Sequence, residues 1–186
     1  MNYYSIALFL HIVGVLGLFV ALGLEWTGLW QLRGVTTAEQ VRAWLRSSKN
    51  VRRFGMIAML TILISGASMM VTVWGPVAWI AVSLGALILM VVLALVLSGP
   101  RMAAIGRALT TETGLVSHTL HSLVNHPFLW ISIQTRVAIA LGIVFLKTSK
   151  PQLAGSLITI GVAIALGLAA ALPMPRRERV QQGAAD

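Results

Sequence analysis

Charged residues fall in clusters along the chain. Between them run uncharged, largely apolar stretches at 2–24, 54–100, 113–135 and 151–175, with 137–146 following one interruption at Arg136. A helix needs about 20 predominantly apolar residues to cross a bilayer. The 54–100 stretch is too long for one crossing, and Trp74-Gly75-Pro76 is a turn signal that divides it. The pattern predicts an all-α, five-helix transmembrane bundle with spans at 3–24, 54–74, 77–98, 128–146 and 152–172. The first span lacks the basic leader and short apolar core of a secretory signal, so it reads as an uncleaved helix. Residues 1–172 form one predicted domain, and 173–186 a short, polar, disordered cytoplasmic tail.

Two polar segments carry helical periodicity of their own. Thr36 with Glu39 three residues later is a capping-box pattern. Beyond it, Val41, Trp44 and Leu45 share an apolar face opposite Arg42, Arg46 and Lys49. This predicts an amphipathic helix over 37–48, lying along an anionic inner leaflet with Trp44 in the acyl boundary. A second short interfacial helix is predicted over 115–125, with Val116, Leu120 and Leu123 on its apolar side. Pro127 then suits the first turn of span four.

Composition agrees with the pattern: 58% of the 186 residues are hydrophobic and only 10% charged, and mean hydropathy is +0.87. So little charge excludes an ordinary soluble globule. The net charge of +9 would suggest nucleic acid only if the basic residues formed one face. They lie instead between the apolar runs, so no nucleic-acid partner is expected. Their distribution predicts orientation. Arg33, Arg42, Arg46, Lys49, Arg52, Arg53, Arg101, Arg107, Arg176, Arg177 and Arg179 lie on one side, against Lys147 and Lys150 on the other. The positive-inside rule puts the N-terminus outside a bacterial inner membrane and the C-terminus in the cytoplasm. Tyr3, Tyr4, Trp74 and Trp79 would then mark the outer interface, and Trp26, Trp30, Phe54 and Trp130 the inner one.

Ionisable groups inside a span mark function by default, and two qualify: His11 and Arg136. Counted inward from Tyr4 and from Lys147, they lie about 10 and 16 Å deep, close enough for one polar layer in the outer half. Ser65, Ser68, Ser83, Ser156 and Thr159 fall in or near that band. His11, Gly14, Gly17, Ala21, Glu25 and Gly28 share a largely small-residue face suited to close packing. Ser132, Arg136, Ala140 and Ile143 form a comparable stripe on span four. Glu25 lies near the inner face and matches neither depth. Two readings stay open for this layer: His11 and Arg136 are satisfied by serine hydroxyls and backbone carbonyls, or Arg136 is an anion-binding guanidinium with His11, Ser65 and Ser68 as further ligand-binding candidates.

No cysteine is present, so thiolate chemistry is excluded. His118 and His121 share a helical face but lack further ligands, so no metal is expected, and those two are the weakest candidates for one. Bis-histidine haem is excluded because His11 and His126 differ by about 20 Å in depth; one axial ligand from His11, with Arg136 near a propionate, leaves haem b open. None of the common catalytic motifs occurs.

The run Leu10-His11-Ile12-Val13-Gly14-Val15-Leu16 resembles the first helix of copper-resistance-protein-D-like and membrane protoporphyrinogen-oxidase-like families. The Arg136 to Pro151 segment, with Gly142-Ile143-Val144-Phe145-Leu146, is similar to small uncharacterised bacterial integral membrane proteins. The resemblance implies haem or porphyrin chemistry at His11 alone. The later His and Lys positions of the porphyrin enzymes have no counterpart, so their activity does not carry over.

Two functional readings follow. The first is an accessory or scaffold subunit of a larger membrane assembly, without catalysis, partnered by other membrane subunits or by itself. The alternative is a haem- or small-anion-binding protein, with redox chemistry among its options, centred on His11 and Arg136.

Overall fold

Five helices long and apolar enough to cross a membrane dominate the computed structural model, which describes residues 2–75, 77–112 and 114–172. They fall within seven α-helices: α1 (Tyr3–Leu32), α2 (Ala38–Met69), α3 (Ala78–Leu93), α4 (Gly99–Ala108), α5 (His118–Val124), α6 (Pro127–Ser149) and α7 (Leu153–Ala171). Two π-helical turns, Met70–Trp74 and Ala94–Ser98, extend α2 and join α3 to α4. The predicted 173–186 tail lies outside the described residues, as does Pro76.

The turn between α2 and α3 falls where Trp-Gly-Pro predicts it. Gly75 has φ of 65°, a left-handed conformation that favours glycine. Pro127 occupies the first turn of α6, where its missing N–H costs no hydrogen bond.

The predicted in-plane helix over 37–48 is not separate. Those residues are the first turns of α2, which runs on without a break through Arg52 and Arg53. No glycine or proline interrupts 38–54, and extending a helix costs far less than starting a new one. The apolar face also meets protein. Val41 is buried, while Trp44 and Leu45 pack half-buried on the core. A Cβ placed on Gly28 would stand 2.9 Å from Trp44 Nε1, so this tryptophan lies against α1. Arg42 donates to the Leu109 and Glu112 carbonyls, satisfying the orphan acceptors that follow α4, whereas Arg46 and Lys49 are exposed.

The cap itself is shifted by one residue. Thr37 Oγ1 accepts from Gln40 N at 3.4 Å, and Gln40 Oε1 accepts from Thr37 N at 3.3 Å. Glutamine completes a capping box as glutamate does. The second short helix begins later than predicted, at His118 after the Ser117 cap. Leu115 and Val116 instead join a backbone pairing with 36–38, through Val116 N to Thr36 O and Ala38 N to Gly114 O.

Packing is uneven. α6 is the central helix: 61% of its membrane-length window is buried, against 22–33% for the other four. α1 and α2 pair through small residues, with Gly14 and Gly17 against Ala58 and Ile62, and Gly55 against Ala21. α6 and α7 pair through Gly142 and Gly167. α3 packs on α6 and α7, and α1 bridges to α6. α2 and α3 share no substantial contact, which leaves a cleft between them that α1 and α6 floor.

Candidate functional site

The cleft contains two cavities stacked along the bundle. The larger, about 270 Å³, is lined by α1, α2, α3 and α6 and is almost wholly apolar. Its polar groups are His11, Ser83 and Lys147, and Trp74 and Trp79 border it. These two indoles meet edge-to-face at 5.9 Å between ring centroids, and Lys150 Nζ sits 4.3 Å from the centroid of Trp74. A π-helical turn at 70–74 forms part of the wall, and such bulges recur at functional sites.

His11 is buried where α1 crosses α2 against Gly66, whose missing side chain leaves room for the imidazole edge. Its Nε2 meets Lys147 Nζ and its Nδ1 meets Ser65 Oγ at 3.1 Å. An ammonium can only donate, so Nε2 accepts from Lys147 and Nδ1 carries the ring proton to Ser65. The Ser65 hydroxyl donates onward to the Thr61 carbonyl at 2.5 Å. The result is a directed chain, Lys147 to His11 to Ser65 to Thr61. One Lys147 N–H is used. No carboxylate stands within ion-pair distance of this ammonium among the described residues, and its remaining donors border the apolar cleft.

Arg136 is elsewhere. Its Nη2 pairs with Glu25 Oε1 at 2.5 Å and its Nε donates to the Ser132 carbonyl at 3.3 Å. Both side chains are largely buried, 9% and 14% exposed. Glu25 lies fourteen residues beyond His11 on one helix, about 21 Å along its axis. The single polar layer expected for His11 and Arg136 does not exist, and neither does the unpaired guanidinium that was to bind an anion. That expectation requires Tyr4 and Lys147 to be level. In the structure His11 is level with Lys147 instead, and Arg136 lies eleven residues, about 16 Å, further down α6.

The other candidates separate cleanly. Ser65 belongs to the site. Ser68 bonds Tyr3 Oη at 2.9 Å and does not line the cleft. Ser156 and Thr159 spend their hydroxyls on carbonyls at the start of α7. Thr135 Oγ1 is buried between α6 and α7 without a hydrogen-bond partner among the described residues. His118 and His121 are exposed, and among the described residues no three His, Asp or Glu side chains are grouped to hold a metal.

Lys147 is the residue that sequence reasoning missed. It reads as a loop anchor if span four stops at 146, but α6 continues to Ser149. The signal was present: the stripe Ser132, Arg136, Ala140, Ile143 reaches Lys147 at the next helical step. The chain matches no family model, no curated protein and no solved structure.

Proposed function

We propose that this chain is a multi-pass protein of a bacterial cytoplasmic membrane that binds a single-chain amphiphile with an anionic head. The head sits at Lys147 and His11, and the apolar chain fills the cleft between α2 and α3. One observation carries this reading: an ammonium without a carboxylate partner, held by a histidine at the mouth of an apolar cavity. A fixed cation next to low-dielectric walls favours an anion far more than the same cation in water does. The volume, about 270 Å³, lies just below the usual range of ligand pockets and suits one chain rather than a macrocycle or a two-chain lipid.

Orientation follows the charge. Arg33, Arg42, Arg46, Lys49, Arg52, Arg53, Arg101 and Arg107 gather toward one end of the bundle and Lys147 and Lys150 toward the other. The positive-inside rule puts the first group at the anionic inner leaflet and the ligand head at the outer one, with the N-terminus outside.

The haem reading fits less well. Both nitrogens of His11 are engaged, so iron would have to displace Lys147 or Ser65. His126, which caps α6, stands twenty-one residues from Lys147, about 31 Å along that helix. An accessory-subunit role is supported by exposed small residues, among them Gly23 on α1, Gly85 on α3 and Gly161, Ala165 and Ala169 on α7, and these select no partner.

The test is binding of decanoate to the intact protein in nanodiscs of zwitterionic lipid, with decanol as the uncharged control. Decanoate is expected to bind saturably and decanol not. Lys147→Met should weaken decanoate by at least about tenfold, equivalent to about 1.4 kcal/mol. Lys147→Arg should keep most of it. Equal behaviour of decanoate and decanol, or indifference to Lys147→Met, would overturn the proposal.

A further inference from the structure

We infer that Leu18 sets the length of chain the cleft accepts, a reading that rests on the amphiphile proposal and adds its specificity. Beneath the first cavity lies a second of about 190 Å³, between the same faces of α1, α2 and α3. Among the described residues Leu18 is the one side chain that lines both. It is 7% exposed, held at the floor of one cavity and the roof of the other.

The dimensions suit a chain. From His11 to Leu18 is seven residues, and from Leu18 to Glu25 seven more, each step about 10 Å along α1. An extended hydrocarbon advances somewhat less than one bond length per carbon, about 1.3 Å. A carboxylate on Lys147 therefore brings roughly the eighth to tenth carbon to Leu18, and a chain of about sixteen would reach through the second cavity.

The second cavity is built to take such a tail. Met56, Met59, Met90 and Met102 line it, and thioether side chains adapt to irregular apolar shapes. Toward its far end the lining turns charged, with Glu25, Arg136 and Arg52, and a terminal methyl pressed against these groups gains nothing. The floor is thus fixed by charge, and the partition above it by one leucine.

Surrounding lipid is as apolar as the cleft, so extra methylenes gain nothing by leaving the bilayer. Discrimination comes from fit, and the experiment is a competition. Decanoate and hexadecanoate are offered at equal mole fraction to the intact protein in nanodiscs, and the bound acids are identified by mass spectrometry. The unaltered protein should retain decanoate in excess. Leu18→Ala, which joins the cavities, should move the bound ratio toward hexadecanoate by about tenfold, because the tail beyond the tenth carbon no longer clashes with the leucine and can lie extended in the second cavity. Leu18→Val, a milder trimming in case alanine unsettles the fold, should shift it the same way by less. An unchanged ratio in a folded variant that still binds decanoate overturns the role of Leu18. Absence of decanoate binding in the unaltered protein instead overturns the amphiphile proposal.

Discussion

Arg136→Leu, made while Glu25 remains, is expected to destabilise the bundle by about 3–5 kcal/mol, the usual cost of breaking one side of a buried ion pair. The loss comes from the partner left behind. Glu25 is 14% exposed, and without Arg136 its carboxylate loses the one ion-pair partner it has among the described residues. Removing both charges is a different change. A Glu25→Gln, Arg136→Met double variant leaves no uncompensated charge, and replacing a buried pair by well-packed residues is often neutral. It should recover to within about 1 kcal/mol of the unaltered protein. Unfolding of the detergent-solubilised protein by titration with a denaturing detergent measures both. A harmless single variant, or a double variant as damaged as the single, would show that the pair is not buried as described.

Gly167→Leu should have the second large effect. A Cβ at this position would lie 2.5 Å from Thr135 Cα and 3.1 Å from Gln134 O, both backbone atoms of α6 that cannot turn aside. α7 must move outward, and the contacts at Gly142, Ala163 and Ile160 open with it. Overpacking of this kind typically costs about 1–3 kcal/mol, and the rigid neighbour puts this case at the upper end. Gly161→Leu on the same helix is the control, since a Cβ there meets nothing within 4 Å. It should be close to neutral in the same unfolding assay. Because the chain has no cysteine, an engineered pair across α6 and α7 can also report the separation directly. Undiminished cross-linking in Gly167→Leu would contradict the close approach.

Much of the architecture was legible in the pattern of apolar positions. Uninterrupted runs of span length, Trp-Gly-Pro at the α2–α3 turn and Pro127 at the head of α6 each express a local rule, and local rules can be read from neighbours in sequence. The small-residue face of α1 was legible for the same reason. Where the reading failed, the deciding energy came from elsewhere in the chain. The first turns of α2 look interfacial because Arg42, Arg46 and Lys49 oppose an apolar face, yet that face is taken up by Gly28 on α1 and by α4. Glu25 already shared a face with His11, so its inward aim was visible. What sequence could not give was the vertical offset between α1 and α6, which decides that Lys147 meets His11 and Arg136 meets Glu25. That offset is set by packing at the α1–α6 contact, between residues more than a hundred positions apart.

The central claim, an anionic head held at Lys147 with its chain in the cleft, is tested most directly by fluorescence quenching. Trp74 and Trp79 border the cavity. With Trp26, Trp30, Trp44 and Trp130 replaced by phenylalanine, only those two indoles emit. Decanoate brominated next to its carboxylate should then quench them saturably in nanodiscs, and Lys147→Met should abolish the saturable component. Quenching that rises linearly with bromodecanoate and is the same in Lys147→Met would mean that the acid merely dissolves in the surrounding lipid, contradicting a head-group site at Lys147.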